Sequence, residues 1–226
     1  MSHRSDHLVL TFLVAIGVAL LSYPAGAMPG GGGGGGGGMP APQKQDTPEE
    51  RAAKSYKEGE RARDRALAYE EKARESDKKG FLGLGARPSE KAEKQWRKAA
   101  IAFRKAARTF PRSYSKADAY VCVAHLELGE PEKALAAADR ALKPRDKYAP
   151  AVACRGETLL ELGRLAEARE AWESLNSRDQ ALADELMQSM KAWLDRNERQ
   201  PAADVPSESL EDFRVWMRER GGLASR

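Results

Sequence analysis

Few residues in this chain have the types and spacing that chemistry needs. Histidine occurs at 3, 7 and 125, and cysteine at 122 and 154 only. No Cys/His spacing for zinc, no phosphate-cradling G-x-x-x-x-G-K-S/T loop, no calcium loop and no nucleophile elbow can be read. His125 lies inside an apolar stretch and is expected to be a packed core histidine. Cys122 and Cys154 form an even count, which invites a bridge in an oxidising compartment. Both sit on stretches that read as buried helix faces, however, so the expectation is two free cysteines packing as small apolar side chains. Glu127 and Glu161 are the one acidic pair that recurs at a fixed spacing, and an acidic stripe explains them better than an acid/base dyad. The segment GFLGLGA at 80–86 imitates a glycine-rich cradle, but it follows a helix pattern instead of a strand. No catalytic residue, metal or cofactor is expected.

The elements that position these residues read as helices throughout. Of the 226 residues, 32% are charged and 7% aromatic, and Ala, Glu, Lys and Arg dominate. Mean hydropathy is −0.65. That composition favours helices. Residues 1–27 have the form of a secretory signal peptide: Arg4, an apolar run of 14 residues from Leu8 to Leu21, then Ala25-Gly26-Ala27. A periplasmic or secreted mature protein is expected, with a membrane-tethering uncleaved signal anchor as the alternative. Nine glycines at 30–38 and the MPAPQKQDTP stretch make 28–47 a flexible linker.

Thr47-Pro48-Glu49-Glu50 supplies an N-cap, a first-position proline and the glutamate of a capping box, so a helix is predicted from about 48 to 77. Its inward stripe is predicted as Ala52, Tyr56, Gly59, Ala66, Tyr69 and Ala73. Gly80, Gly83, Gly85 and Pro88 mark a loop in which Phe81, Leu82 and Leu84 tuck over the helix end. Ser89 caps the next helix, with Ala92, Trp96, Ala99, Phe103, Ala106 and Ala107 on one side and Pro111 as its stop. Helices over 115–128, 131–142, 149–162 and 165–175 follow. Ser177 to Gln180 opens a helix to about 198 that carries Leu182, Leu186, Met190, Trp193 and Leu194. A short last helix carries Leu210, Phe213, Trp216 and Met217 and ends at Gly221-Gly222.

Laying 115–148 over 149–182 pairs Cys122 with Gly156, Leu126 with Leu160, Gly129 with Gly163, Ala134 with Ala168, Ala138 with Trp172 and Ala141 with Leu175. The LELG tetrapeptide at 126–129 returns at 160–163. A 34-residue helix-turn-helix period with these residues resembles the tetratricopeptide repeat. Ala99, Phe103, Ala106 and Pro111 fit the second helix of an earlier, atypical copy whose interhelix turn has grown. The resemblance implies an all-α fold, a short α-solenoid of antiparallel helix pairs with about three repeats (48–113, 115–148, 149–182) and C-terminal capping helices. The repeat domain is expected over 48–200, with 178–198 as cap helix and 201–226 as a linker and short C-terminal helix.

The resemblance also implies that first helices line a concave groove binding a protein or peptide. The groove contacts expected here are Lys116, Ala119, Tyr120, Val123, Glu127, Ala153, Glu157 and Glu161, joined by Tyr56 and Arg63 from the long first helix. The differences Val123/Glu157 and Lys116/Pro150 between the copies are where partner choice would be written. A carboxylate clamp is not expected, because Lys116 has no Asn companion on either central first helix. The alternative working surface is the basic segment 48–112, which carries 19 Lys/Arg against 11 Asp/Glu, while 113–226 carries 17 against 21. Such an asymmetry suits an anionic membrane surface or an acidic polymer. Nucleic acid is not among the expected partners, and oligomeric state is left open.

Overall fold

The computed structural model describes residues 45–79, 89–109, 115–199 and 205–221. The signal-peptide and polyglycine readings, the tucking of Phe81, Leu82 and Leu84, and the stops at Pro111 and Gly222 lie outside them. The described residues form eight α-helices and no strand: α1 (Pro48–Lys79), α2 (Glu90–Thr109), α3 (Ser115–Glu127), α4 (Pro131–Leu142), α5 (Ala149–Glu161), α6 (Leu165–Asn176), α7 (Gln180–Arg199) and α8 (Ser207–Glu219). None is long and apolar enough to cross a membrane.

Helix starts follow local side-chain chemistry. At α1 the Glu50 amide donates to Thr47 Oγ1 at 3.2 Å while the Thr47 amide donates to Glu50 Oε2 at 2.8 Å, closing the predicted capping box. Ser89 caps α2 through the Ala92 amide at 3.3 Å. The start of α7 differs from the sequence expectation: Asp179, not Ser177, is the cap, accepting from the Leu182 amide at 3.2 Å. The Ser177 hydroxyl instead donates back to the Ser174 carbonyl.

Consecutive helices from α1 to α7 pack on one another, α8 packs on α6, and α3, α5 and α7 also pack against one another in order. This is the nearest-neighbour stacking of an all-α solenoid. Both ends of α3 and α4 recur 34 residues later in α5 and α6. The repeated LELG is the stop that makes this possible. Gly129 and Gly163 adopt φ of 64° and 69°, a left-handed conformation that glycine enters without a Cβ clash. In both copies the glycine amide reaches back to the residue-three carbonyl at 2.9 Å, and the next amide reaches five residues back, at 2.9 Å from Glu130 to His125 and 2.8 Å from Arg164 to Leu159.

Small residues set how closely the pairs approach. On α1 the fully covered stripe is Ala52, Ser55, Gly59, Ala62 and Ala66, with Tyr56, Tyr69 and Ala73 half-buried at its edge. A Cβ on Gly59 would lie 2.7 Å from the Phe103 ring of α2, and one on Gly156 of α5 would lie 2.7 Å from Leu186 of α7. These glycines let an aromatic ring and a leucine seat against backbone. Burying a side chain the size of Phe103 contributes about 2–3 kcal/mol, so the close approach is worth its helix-propensity cost of about 1 kcal/mol.

Two large hydrophobic clusters result. One joins α1–α4 around Trp96, Phe103, Tyr120, Val121 and Leu128, and the other joins α5–α8 around Leu159, Trp172, Leu186, Met190 and Trp193. Phe213, Trp216 and Met217 of α8 belong to the second cluster, and Trp216 meets Trp172 edge-on at 5.3 Å. The packed array therefore continues past residue 200. α8 packs against α6, and its Phe213 ring meets Trp193 of α7 edge-on at 6.4 Å.

The cysteine expectation is corrected here. Cys122 of α3 and Cys154 of α5 form a disulfide, with Cα atoms 6.4 Å apart. The residues are indeed fully buried, but the first-helix stack turns the two buried faces toward each other. Sequence periodicity places each cysteine on a face and says nothing about which face it meets.

Candidate interaction surface

The expected groove contacts fall into three groups in the structure. Ala119, Val123 and Ala153 are consumed by packing, with exposures of 5%, 5% and 0%. Ala119 meets Ala141 and Ala151 in the seam between α3 and the α4–α5 region. The open Ala/Val floor is therefore filled by the protein's own neighbouring helices, because α5 closes on α3 and α7 closes on α5.

Glu157 is corrected as well. It is a buried carboxyl, not a rim residue, and Ser189 of α7 donates its hydroxyl to Oε1 at 2.7 Å. Burial pushes its pKa up to about 8, Ser189 opposes the rise, and Glu161 and Glu185 add to it. Glu185, also raised by burial, has its Oε2 buried without a hydrogen-bond partner. Glu161 is exposed and pairs with Arg196 of α7 at 2.6 Å, so the predicted acidic rim is partly neutralised from within. Glu127 is half-buried.

The third group gathers into a compact surface at the amino-terminal end. Tyr56 of α1, Phe103 of α2 and Tyr120 of α3 pack ring to ring, with Phe103 stacked on Tyr120 at 4.9 Å and Tyr56 edge-on to Tyr120 at 6.0 Å. Tyr148, ahead of α5, packs against the adjoining Ala119, Ala141 and Ala151. Two cations cap the rings: the Arg63 guanidinium sits 5.1 Å from the Tyr120 centroid and Lys116 Nζ 5.4 Å from the Tyr56 centroid. Burial raises all three phenol pKa values, with Tyr148 pushed up to about 12. The phenols therefore stay protonated at any physiological pH. Lys116 is exposed, while Tyr56, Arg63 and Tyr148 are half-buried.

Tyr148 is the member that sequence reasoning missed. It stands in the connection after α4, and its position relative to Tyr120 depends on how α5 stacks on α3. Its type and its place one residue ahead of a helix were the only signals available.

His125 behaves as a core histidine. It is buried, its Nδ1 is 2.7 Å from Glu130 Oε2, and its pKa is lowered by burial against the opposing pull of Glu130. Its Nε2 is buried without a hydrogen-bond partner. Among the described residues no group of three or more His, Cys, Asp or Glu side chains could hold a metal ion.

A scan against protein-family models and a search of curated proteins both find no match. What the molecule does has to be read from its own geometry.

Proposed function

We propose that this chain is a non-catalytic scaffold of the tetratricopeptide-repeat kind that binds a protein or peptide on its first-helix side. The observation that carries this reading is the surface of half-buried Tyr56, Arg63 and Tyr148 with exposed Lys116, backed by the buried Tyr120 and Phe103 rings. Tyrosine and arginine on a rigid helical frame are the side chains that dominate protein recognition. They offer large area, a polar tip and little entropy to lose. The 34-residue recurrence of both helix ends and the Gly129 and Gly163 stops support the repeat family. The buried disulfide supports an oxidising compartment, in keeping with the amino-terminal signal pattern. The cell envelope or the secreted space is the expected location.

The cluster keeps Tyr56, Arg63, Lys116 and Tyr120 of the groove expected from sequence, adds Tyr148 and leaves out the acidic rim. Lys116 is its exposed cation, while Arg63 is tied to Asp64 at 2.7 Å, so the partner segment it suits is neutral or acidic. The test is capture from an envelope extract on immobilised protein, comparing the wild type with Lys116→Glu and Tyr148→Ala. A defined polypeptide held by the wild type and released by both variants supports the reading. If the same proteins are retained in equal amount by all three, the surface is not the binding site.

A further inference from the structure

The outer face of α2 carries a charge pattern that the first-helix cluster does not use. From Lys94 to Thr109 the helix has six basic residues and no acidic one. At about 100° per residue, Lys94, Lys98, Arg104, Lys105 and Arg108 fall within an arc of about 120° and a length of about 21 Å. Ile101 lies at the centre of that arc and is 70% exposed, the most exposed large apolar side chain among the described residues. Arg97 shares the face but is tied to Glu93 at 2.7 Å and Glu130 at 3.7 Å. The five named cations have no ion-pair partner among the described residues. The second helices then change sign along the array: α4 has two basic and two acidic residues, and α6 has one basic and three acidic.

We propose that this face of α2 docks the protein onto an anionic lipid bilayer, with the acidic α6 end held away from the surface. The face is a helix exterior of Lys and Arg with no pocket-forming aromatic, which suits a diffuse anionic plane better than a protein hot spot. A nucleic-acid strand would give the exposed Ile101 no partner, and the face offers no aromatic ring for base stacking. A bilayer interface supplies both needs at once. Headgroup phosphates meet the cations, whose aliphatic stems lie along the surface, while the apolar layer beneath accepts isoleucine.

The test is cosedimentation of the full chain with zwitterionic vesicles and with vesicles containing about one-third anionic lipid. The amino-terminal apolar run would favour both kinds equally, so the difference between them reads the charged face. At least a tenfold preference for anionic vesicles is expected, lost in about 0.5 M salt. The Lys98→Glu, Lys105→Glu, Arg108→Glu triple variant should abolish that preference while keeping its helical circular dichroism. Ile101→Ser, safe for folding because the side chain is in solvent, should weaken anionic-vesicle binding several-fold without changing retention of a short DNA duplex. Lys116→Glu should leave vesicle binding intact, which keeps this proposal separate from the peptide-binding one. An equal affinity for both vesicle types overturns the idea. So does an Ile101→Ser variant that binds like wild type while duplex DNA competes the vesicles off, since that result describes a general polyanion site.

Discussion

Glu157 illustrates how one side chain can be read correctly by type and wrongly by place. Its position on a first helix marks it as facing the next repeat, and a groove was the natural inference. In the folded chain that facing position is occupied by α7, and a carboxyl has been enclosed with one hydroxyl donor. The folded-state pKa of about 8 lies above the unfolded value of 4.5, so the folded protein holds a proton that the unfolded chain releases. The resulting stabilisation is complete below pH 4.5 and is lost as pH rises toward 8. Glu157→Gln keeps the shape and removes the titration. In urea melts at pH 5 and pH 8, the wild type should lose on the order of 3 kcal/mol more than the variant between the two values. Parallel losses would show that Glu157 is ionised in the folded state.

At the scale of elements, the helix ends were the most legible part of the chain. Thr47-Pro48-Glu49-Glu50 and Ser89 act as written, and the two LELG endings stop their helices identically. The buried residues of α2 and α7 were also readable, because one strongly amphipathic face admits one solution. The groove was less readable, since α3 and α5 are apolar on nearly every side and periodicity cannot divide such a helix into floor and seam. The disulfide and the α8 contribution depend on the stacking of helices far apart in sequence, which no local pattern encodes.

The two stops make a matched pair for experiment. Gly129→Ala and Gly163→Ala each force a Cβ into the left-handed region, a cost of about 1–2 kcal/mol. At Gly163 the added Cβ would also lie 2.7 Å from Val205 Cγ2, so its loss should exceed the left-handed cost alone. Denaturation midpoints measure it, and a loss within about 1–2 kcal/mol would mean that the 205 segment yields freely.

Two large apolar clusters of the described residues meet at a seam between α3–α4 and α5. Ala119, Ala141 and Ala151 line that seam, Leu135 and Leu142 of α4 pack against the second cluster, and Cys154 of α5 belongs to the first. The Cys122–Cys154 bond crosses that seam and closes a loop of 32 residues in sequence separation. Loop closure of that size stabilises the fold by about 3–4 kcal/mol through the unfolded chain. It also acts on cooperativity, since stacked helices are held by nearest-neighbour terms, and the bond ties α3 to α5 where α4 already packs on α5. Three of the four tryptophans, Trp172, Trp193 and Trp216, report on the second core, while far-UV circular dichroism reports on all eight helices. In the oxidised protein the two signals should fall together with denaturant. After reduction, or in Cys122→Ser, Cys154→Ser, the midpoint should drop and the signals should separate, one half unfolding before the other. Coincident curves in the reduced protein would mean that side-chain packing across the seam alone binds the halves into one cooperative unit.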